Sequence, residues 1–287
     1  MDPLAKLLAT REWILLDGGL ATELEARGHD LSDRLWSARL LLDAPEEIRA
    51  VHRSYLAAGA DCVVTSSYQA STAELRRCGA DPRAVLLRSV ALAKGAPLVA
   101  AGVGPYGAAL ADGSEYTGRY PGMDEARLAS WHEERFGILD ESDADLLACE
   151  TLPSLEEARA LATLLHRKHA WFSFACRDAT SIADGTPIRD VARFLDPQPN
   201  VAAIGVNCTH PRHVNGLIDE LRAATGKPIV VYPNSGEAWD ARARQWRGDA
   251  SGLLDLAPAW LDRGARMLGG CCRVGPAQIR ALATLRS

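Results

Sequence analysis

The chain has 287 residues, 47% of them hydrophobic, and a formal net charge of -5. That is enough apolar material for a large core, and with no basic stripe it argues against a nucleic-acid partner. Asp2, Lys6, Arg11 and Glu12 interrupt the stretch from Met1 to Leu16, which therefore reads as neither a signal peptide nor a spanning helix.

Further along, the longest apolar runs are only strand-length, so no membrane partner is expected. The seven cysteines are an odd number and cannot all pair. Without an export signal, a reducing cytoplasm is the expected compartment.

One pattern repeats along the chain: a short apolar run, a turn, then an amphipathic segment. The runs are Trp13 to Leu16, Cys62 to Thr65, Leu98 to Ala101, Leu146 to Cys149, Trp171 to Phe174, Ala202 to Val206, Ile229 to Tyr232 and Ala265 to Leu268. Helical periodicity falls between them, at Leu20 to Arg27, Pro45 to Ala58, Ala84 to Lys94 and Glu125 to Glu141. It returns at Leu155 to Arg167, Ile188 to Phe194, Arg212 to Ala223 and Leu253 to Arg263. Ser154-Leu155-Glu156-Glu157 has the spacing of a capping box. Wholly apolar strands alternating with helices indicate a parallel sheet covered on its faces. Eight such units favour one closed (β/α)8 TIM barrel over residues 1–287 rather than an open doubly wound sheet.

Active sites of such barrels lie at the carboxyl ends of the strands. In order, the runs are followed by Asp17-Gly18-Gly19, Thr65-Ser66-Ser67-Tyr68-Gln69, Gly102 to Gly107, and Glu150-Thr151. The later ones lead into Cys176-Arg177-Asp178, Asn207-Cys208, Pro233 to Glu237, and Gly269-Gly270-Cys271-Cys272. Cys208, Cys271 and Cys272 are the metal candidates. Three thiolates suit zinc, bound tetrahedrally at about 2.3 Å, and leave a fourth position open for a substrate. Gly269-Gly270 supplies the freedom for a sharp turn that lets adjacent cysteines both ligate. The competing readings are small buried hydrophobes, accepted for Cys62, Cys78, Cys149 and Cys176, and a strained Cys271–Cys272 disulfide.

Asp17 and Glu150 are carboxylates at the mouth, and a charge placed there needs a partner. They suit a substrate ammonium; the alternatives are a salt bridge, or a helix cap for Asp17. Gly102-Val103-Gly104-Pro105-Tyr106-Gly107 spells a dinucleotide fingerprint, but Pro105 inside the turn and the long segment after it argue against one. That segment, Ala108 to Pro121, reads as a lid over the mouth. Asn234-Ser235-Gly236 could hold an anion through backbone amides, or be a plain turn. His210 and His213 begin a loop facing solvent, and the other histidines have no partner at ligand spacing.

At Leu16 to Leu24, Thr65 to Ala70, Gly104 to Gly107, Ala111 to Tyr116, Leu147 to Thr151, Val231 to Glu237 and Gly269 to Arg273 the chain resembles the homocysteine S-methyltransferase family. The resemblance spans nearly the whole chain. It implies a (β/α)8 barrel in which Cys208, Cys271 and Cys272 hold Zn2+ and the homocysteine sulfur becomes the fourth ligand. Asp17 and Glu150 would bind the homocysteine amino group, with Gly18, Gly19, Thr65, Tyr68, Asn207 and Asn234 also on the substrate side. The expected reaction transfers a methyl group from a sulfonium donor to homocysteine, giving methionine. From the whole-length resemblance S-methylmethionine is the expected preferred donor, with S-adenosylmethionine used less well; relatives differ between these two and betaine. Tyr68, Tyr106 and Tyr116 are candidates to face the sulfonium. A zinc-dependent hydrolase with Glu150 as base is the alternative enzyme, and a non-catalytic zinc barrel the alternative outside catalysis.

Overall fold

The computed structural model describes residues 2–240, 245–248 and 250–286. Its strands are β1 (Ile14–Leu15), β2 (Cys62–Val64), β3 (Leu98–Val103), β4 (Leu146–Leu152), β5 (Ala170–Phe174), β6 (Val201–Asn207), β7 (Ile229–Tyr232), β8 (Ala238–Asp240), β9 (Gln245–Arg247) and β10 (Ala265–Leu268). Eight of them form one parallel sheet in the order β1-β10-β7-β6-β5-β4-β3-β2, while β8 and β9 pair as an antiparallel hairpin between β7 and β10. The sheet closes where β1 meets β2, through a parallel bridge between Leu16 and Cys62. All eight apolar runs are barrel strands, so the TIM barrel expected from the alternation is the observed fold. No helix among the described residues is long and apolar enough to cross a membrane.

Period-2 alternation divides the core into two layers. Ile14, Leu16, Cys62, Leu98, Ala100, Leu146, Ala148, Trp171, Ala203, Val230 and Met267 fill the barrel. Leu15, Val63, Val99, Ala101, Leu147, Phe172, Ile204 and Val231 face the helices. The helix Pro3–Leu8 sends Leu4 into the inner cluster. It closes the amino-terminal end, where Lys227 Nζ holds the carbonyls of Gln198 and Val201 before and at the start of β6. The opposite end is left for chemistry.

Sequence periodicity located the large helices and missed the short ones. Leu155–Thr163 stops four residues early, and the segment after β6 opens as a 3-10 turn, Pro211–His213, before Val214–Arg222. Pro3–Leu8, Thr72–Arg77 and Pro276–Ala283 are additional helices. The lid segment holds the end of a short helix, Tyr106–Leu110, and a 3-10 turn, Ser114–Tyr116. Ser154 does cap its helix, accepting from the Glu157 amide at 3.2 Å. The other arm of the box differs: the buried Glu157 carboxylate instead accepts from the Tyr106 amide and meets His132 Nε2 at 2.9 Å.

The β1–β2 seam is short and relies on Asp61. The Asp61 amide donates to the Leu15 carbonyl at 2.7 Å, and its buried carboxylate accepts from the Leu15 amide at 2.9 Å. The same carboxylate pairs with Arg11 at 3.2 Å and with Arg286 from the last turn of the chain. Asp61→Ala keeps the backbone bond but removes the three carboxylate contacts at once, and is expected to cost about 2–4 kcal/mol. The check is the urea unfolding midpoint, which an ordinary surface substitution would leave in place.

Candidate metal centre

Three cysteine sulfurs meet at the carboxyl end of the barrel. Cys208 directly follows β6, and Cys271 and Cys272 follow β10; their Sγ atoms all lie within 4.8 Å of one another, with Cys208 and Cys272 at 3.9 Å. The exit of β7, which lies between β6 and β10, holds both loops. The Tyr232 carbonyl accepts from the Cys208 amide at 3.3 Å, and the Pro233 carbonyl from the Cys271 amide at 2.8 Å. The Ser235 amide donates to the Cys272 carbonyl at 3.1 Å.

The two glycines before the cysteines serve a different purpose from a sharp turn. Neither has a left-handed backbone; the positive φ values here are at Cys208 (48°) and Arg273 (66°). What they permit is close approach. A Cβ on Gly269 would lie 2.6 Å from Leu16 Cβ, and one on Gly270 would lie 2.1 Å from Val274 Cγ1. The loop after β1 presses from the other side. A Cβ on Gly18 would lie 2.2 Å from the Val274 carbonyl oxygen, and one on Gly19 2.5 Å from that of Cys271. The structure thus places Gly18 and Gly19 as backbone abutments of the cysteine loop, with the Tyr55 hydroxyl bridging the Gly19 and Val274 carbonyls.

The thiols share charge unevenly. Hydrogen bonds from Cys271 and Cys272 hold the Cys208 thiol well below its ordinary pKa, and the same pairing pushes Cys271 and Cys272 up. Tyr116, from the lid, brings its hydroxyl to 3.6 Å from Cys208 Sγ. The Asn234 side chain also lowers the Cys208 pKa, and its buried Oδ1 has no partner. This donor set is suited to a soft or borderline cation.

Two carboxylates stand beside the sulfurs. Asp17 does not cap the following helix, whose N-cap is Gly19; its Oδ2 accepts from the Val64 amide across the barrel seam at 3.0 Å. Among the described residues neither Asp17 nor Glu150 forms a salt bridge. Burial drives the Asp17 pKa well up, and Glu150 raises it further. Burial likewise pushes Glu150 up to about 8, against the Tyr232 hydrogen bond that lowers it. Tyr232 had been hidden within an apolar run. Its hydroxyl donates to Glu150 Oε2 at 3.2 Å and accepts from Trp171 Nε1 at 3.0 Å, with Ser173 Oγ at 2.5 Å. An interior-facing tyrosine at the end of a barrel strand, whose hydroxyl must find a partner, was the available signal.

The remaining expected contacts divide by geometry. The Asn207 amide binds the Thr151 amide and hydroxyl, both at 2.7 Å, and so holds the left-handed backbone at Thr151 (φ 60°). The Thr65 hydroxyl is shared between Ser67 Oγ at 2.7 Å and the Gly102 amide at 3.1 Å. Tyr68 lies against Thr151 and senses Glu115, Cys208 and Glu150. Tyr106 is drawn away into edge contacts with Tyr120 and Trp131. The anion cradle at Asn234-Ser235-Gly236 loses two of its amides, which donate to the Thr209 and Cys272 carbonyls. The glycines of the fingerprint-like run make room for neighbours: a Cβ on Gly102 would lie 3.3 Å from Glu150 Oε1, and one on Gly104 2.6 Å from the Tyr68 carbonyl oxygen. His210 caps the 3-10 turn after β6, away from ligand duty.

The comparisons with known proteins agree with this site. The family model described as homocysteine S-methyltransferase matches residues 14–285. Homocysteine S-methyltransferase YbgG of Bacillus subtilis is 44% identical, with 99% of this chain and 97% of that protein covered. Homocysteine S-methyltransferase of Escherichia coli is 46% identical, with 98% and 97% covered. The crystal structure of the metallated form of the homocysteine methyltransferase MmuM from Escherichia coli superposes with a TM-score of 0.89 at 44% identity, covering 99% of this chain and 100% of that one. The chain belongs to the homocysteine S-methyltransferase family.

Proposed function

We propose that this chain transfers a methyl group from a sulfonium donor, S-methylmethionine in preference, to the sulfur of homocysteine, with zinc held by Cys208, Cys271 and Cys272. The observation that carries the reading is the meeting of three thiols with two buried carboxylates that lack a cationic partner. What zinc supplies when bound is a Lewis acid that keeps a thiol sulfur deprotonated at neutral pH.

The chain's own residues do the rest. Asp17 and Glu150 receive the homocysteine ammonium, and the charge they gain there offsets the cost of their burial. Tyr232, fixed by Trp171 and Ser173, aims the Glu150 carboxylate. The homocysteine sulfur forms the new bond to the methyl carbon with its own electron pair, and the old S–CH3 pair stays on the departing sulfur. The leaving group is then a neutral thioether, so no general acid is needed. Among the described residues no histidine stands beside the sulfurs. Collinear displacement makes positioning the main demand on the protein. Tyr68 and Tyr116 flank Cys208 on the donor side, and the lid excludes water. The hydrolase alternative would use Glu150 as base, but three thiolates are a poor ligand set for activating water compared with histidines, and the family argues against it.

The purified protein is expected to carry about one zinc per chain. Elemental analysis of Cys272→Ser should show marked loss of metal with the circular dichroism of the barrel retained; full metal and full activity in that variant would remove the thiolates from the site.

Glu150→Gln is expected to weaken homocysteine binding by about 2–4 kcal/mol while sparing the metal. Its effect on the substrate-free protein should have the opposite sign. A carboxyl raised from 4.5 to about 8 by folding holds its proton more tightly when folded. Its stabilising contribution is full below pH 4.5 and is lost as the pH rises through about 8. The glutamine has no such loss, so the variant should gain in Tm over wild type between these limits, more at pH 8 than at pH 5. A loss of Tm at every pH would make Glu150 a structural residue.

The donor is tested by competition. With homocysteine and equal concentrations of S-methylmethionine and S-adenosylmethionine, mass spectrometry of the products should show most methyl groups coming from the former. Betaine in a separate reaction should give little methionine.

A further inference from the structure

The acceptor side leaves one half-buried carboxylate at the mouth without a role. Glu115 lies in the 3-10 turn Ser114–Tyr116 of the lid. The turn is firmly set. Asp112 Oδ1 accepts from the Ser114 amide at 2.9 Å, and the Ser114 carbonyl accepts from the Gly118 amide at 2.9 Å. Gly107 lets the turn lie flat on the helix Tyr106–Leu110, since a Cβ there would sit 2.4 Å from the Glu115 nitrogen. The next residue, Tyr116, reaches Cys208 Sγ. Glu115 Oε2 is buried and has no hydrogen-bond partner, and among the described residues its carboxylate forms no ion pair. Nearby Ser114 Oγ and Gln69 Oε1 are also buried and unpartnered; Gln69 itself is tied to the lid through the Ala108 carbonyl at 2.7 Å.

We propose that Glu115 is the specificity residue for the methyl donor, receiving the donor's positive charge from the lid side while Asp17 and Glu150 hold the acceptor's ammonium. The proposal rests on the sulfonium-donor reading above. Its support is the place of that unpartnered oxygen, on a lid turn whose next residue, Tyr116, reaches Cys208 Sγ at 3.6 Å. Asp17 and Glu150 act on each other, and Glu150 also feels Cys208. Burial pushes Glu115 up to about 7 against the backbone amides of its own turn, and the charges of Cys208 and the neighbouring Asp112 raise it further. Burial raises the Tyr68 pKa, and the charges of Glu115, Cys208 and Glu150 raise it further. An in-line transfer places the donor on the open, lid-facing side of the accepting sulfur. A donor there presents a sulfonium, and in the amino-acid donors an α-ammonium as well. Either cation would satisfy the unpartnered oxygen. If the contact is to sulfonium, it weakens as soon as the methyl leaves, which favours donor over product.

The test uses the metal-loaded full chain with homocysteine, comparing S-methylmethionine with dimethylsulfonioacetate, a sulfonium that lacks an ammonium. Wild type is measured first; transfer from neither sulfonium would overturn the proposed function and this inference with it. Given wild-type transfer, Glu115→Gln should raise the KM for S-methylmethionine roughly tenfold or more. The KM for homocysteine and the metal content should stay within about twofold. Glu115→Asp, which keeps the charge on a shorter arm, should recover part of the loss and remains informative if the glutamine variant folds poorly. An equal loss with both donors assigns the contact to sulfonium; a loss confined to S-methylmethionine assigns it to the ammonium. Unchanged donor KM in both variants, or a larger rise for homocysteine than for the donor, would overturn the role.

Discussion

The exit of β7 is the constraint on which the site depends. Cys208 and Cys272 are 64 residues apart in sequence, yet their sulfurs must come within bonding reach of one ion. Neither loop has a disulfide or a long helix to fix it. What fixes them is a common template: Tyr232, Pro233 and Ser235 bind the cysteine backbones on both sides. The parallel order β6-β7-β10 makes this possible, because a central strand presents carbonyl and amide groups to both neighbours. The loop after β1 completes the clamp, and it fits only because Gly18, Gly19, Gly269 and Gly270 have no side chains to separate the backbones.

The electrostatics of the mouth run against folding and in favour of binding. Burial raises Asp17, Glu150 and Glu115, each near at least one other acidic group. A fold selected for stability alone would have paired or removed them. Keeping them close to three thiols makes the mouth a place where a cation gains more than it would in water. The apolar wall around these groups is part of the same device, since screening by water would weaken every one of these attractions.

The barrel was readable in the sequence because strands buried on both faces write themselves as continuous apolar runs, and each of the eight runs is a barrel strand. The cysteines and both carboxylates were readable because polar groups directly after such runs fall on one rim. Other features had no such mark. Pro3–Leu8 and Pro276–Ala283 are too short for a clear helical period. Tyr232 looked like one more apolar strand residue, and its bond to Glu150 spans 82 positions. Glu157 had the spacing of a capping residue, but its carboxylate is taken by His132 across 25 positions. Local spacing cannot reveal a partner supplied by another unit of the barrel.

That last pairing shows how the lid side of the mouth is built. Arg135, fully buried on the helix Glu125–Asp140, donates to the Tyr68 carbonyl at 3.1 Å and the Gly104 carbonyl at 2.6 Å. It also meets His132 Nδ1 at 3.0 Å. Because Arg135 can only donate, His132 Nδ1 must accept, and its Nε2 carries the proton given to Glu157. Burial lowers the His132 pKa, in keeping with this neutral tautomer. Glu157 in turn receives the Tyr106 amide that begins the lid helix. One buried chain thus ties the loops after β2 and β3 to the lid, while the cysteine loops hang from β7. The lid and the cysteine loops therefore rest on separate scaffolds, and the two meet where the Tyr116 hydroxyl reaches Cys208. Such an arrangement lets the lid change in sequence without disturbing the cysteine loops.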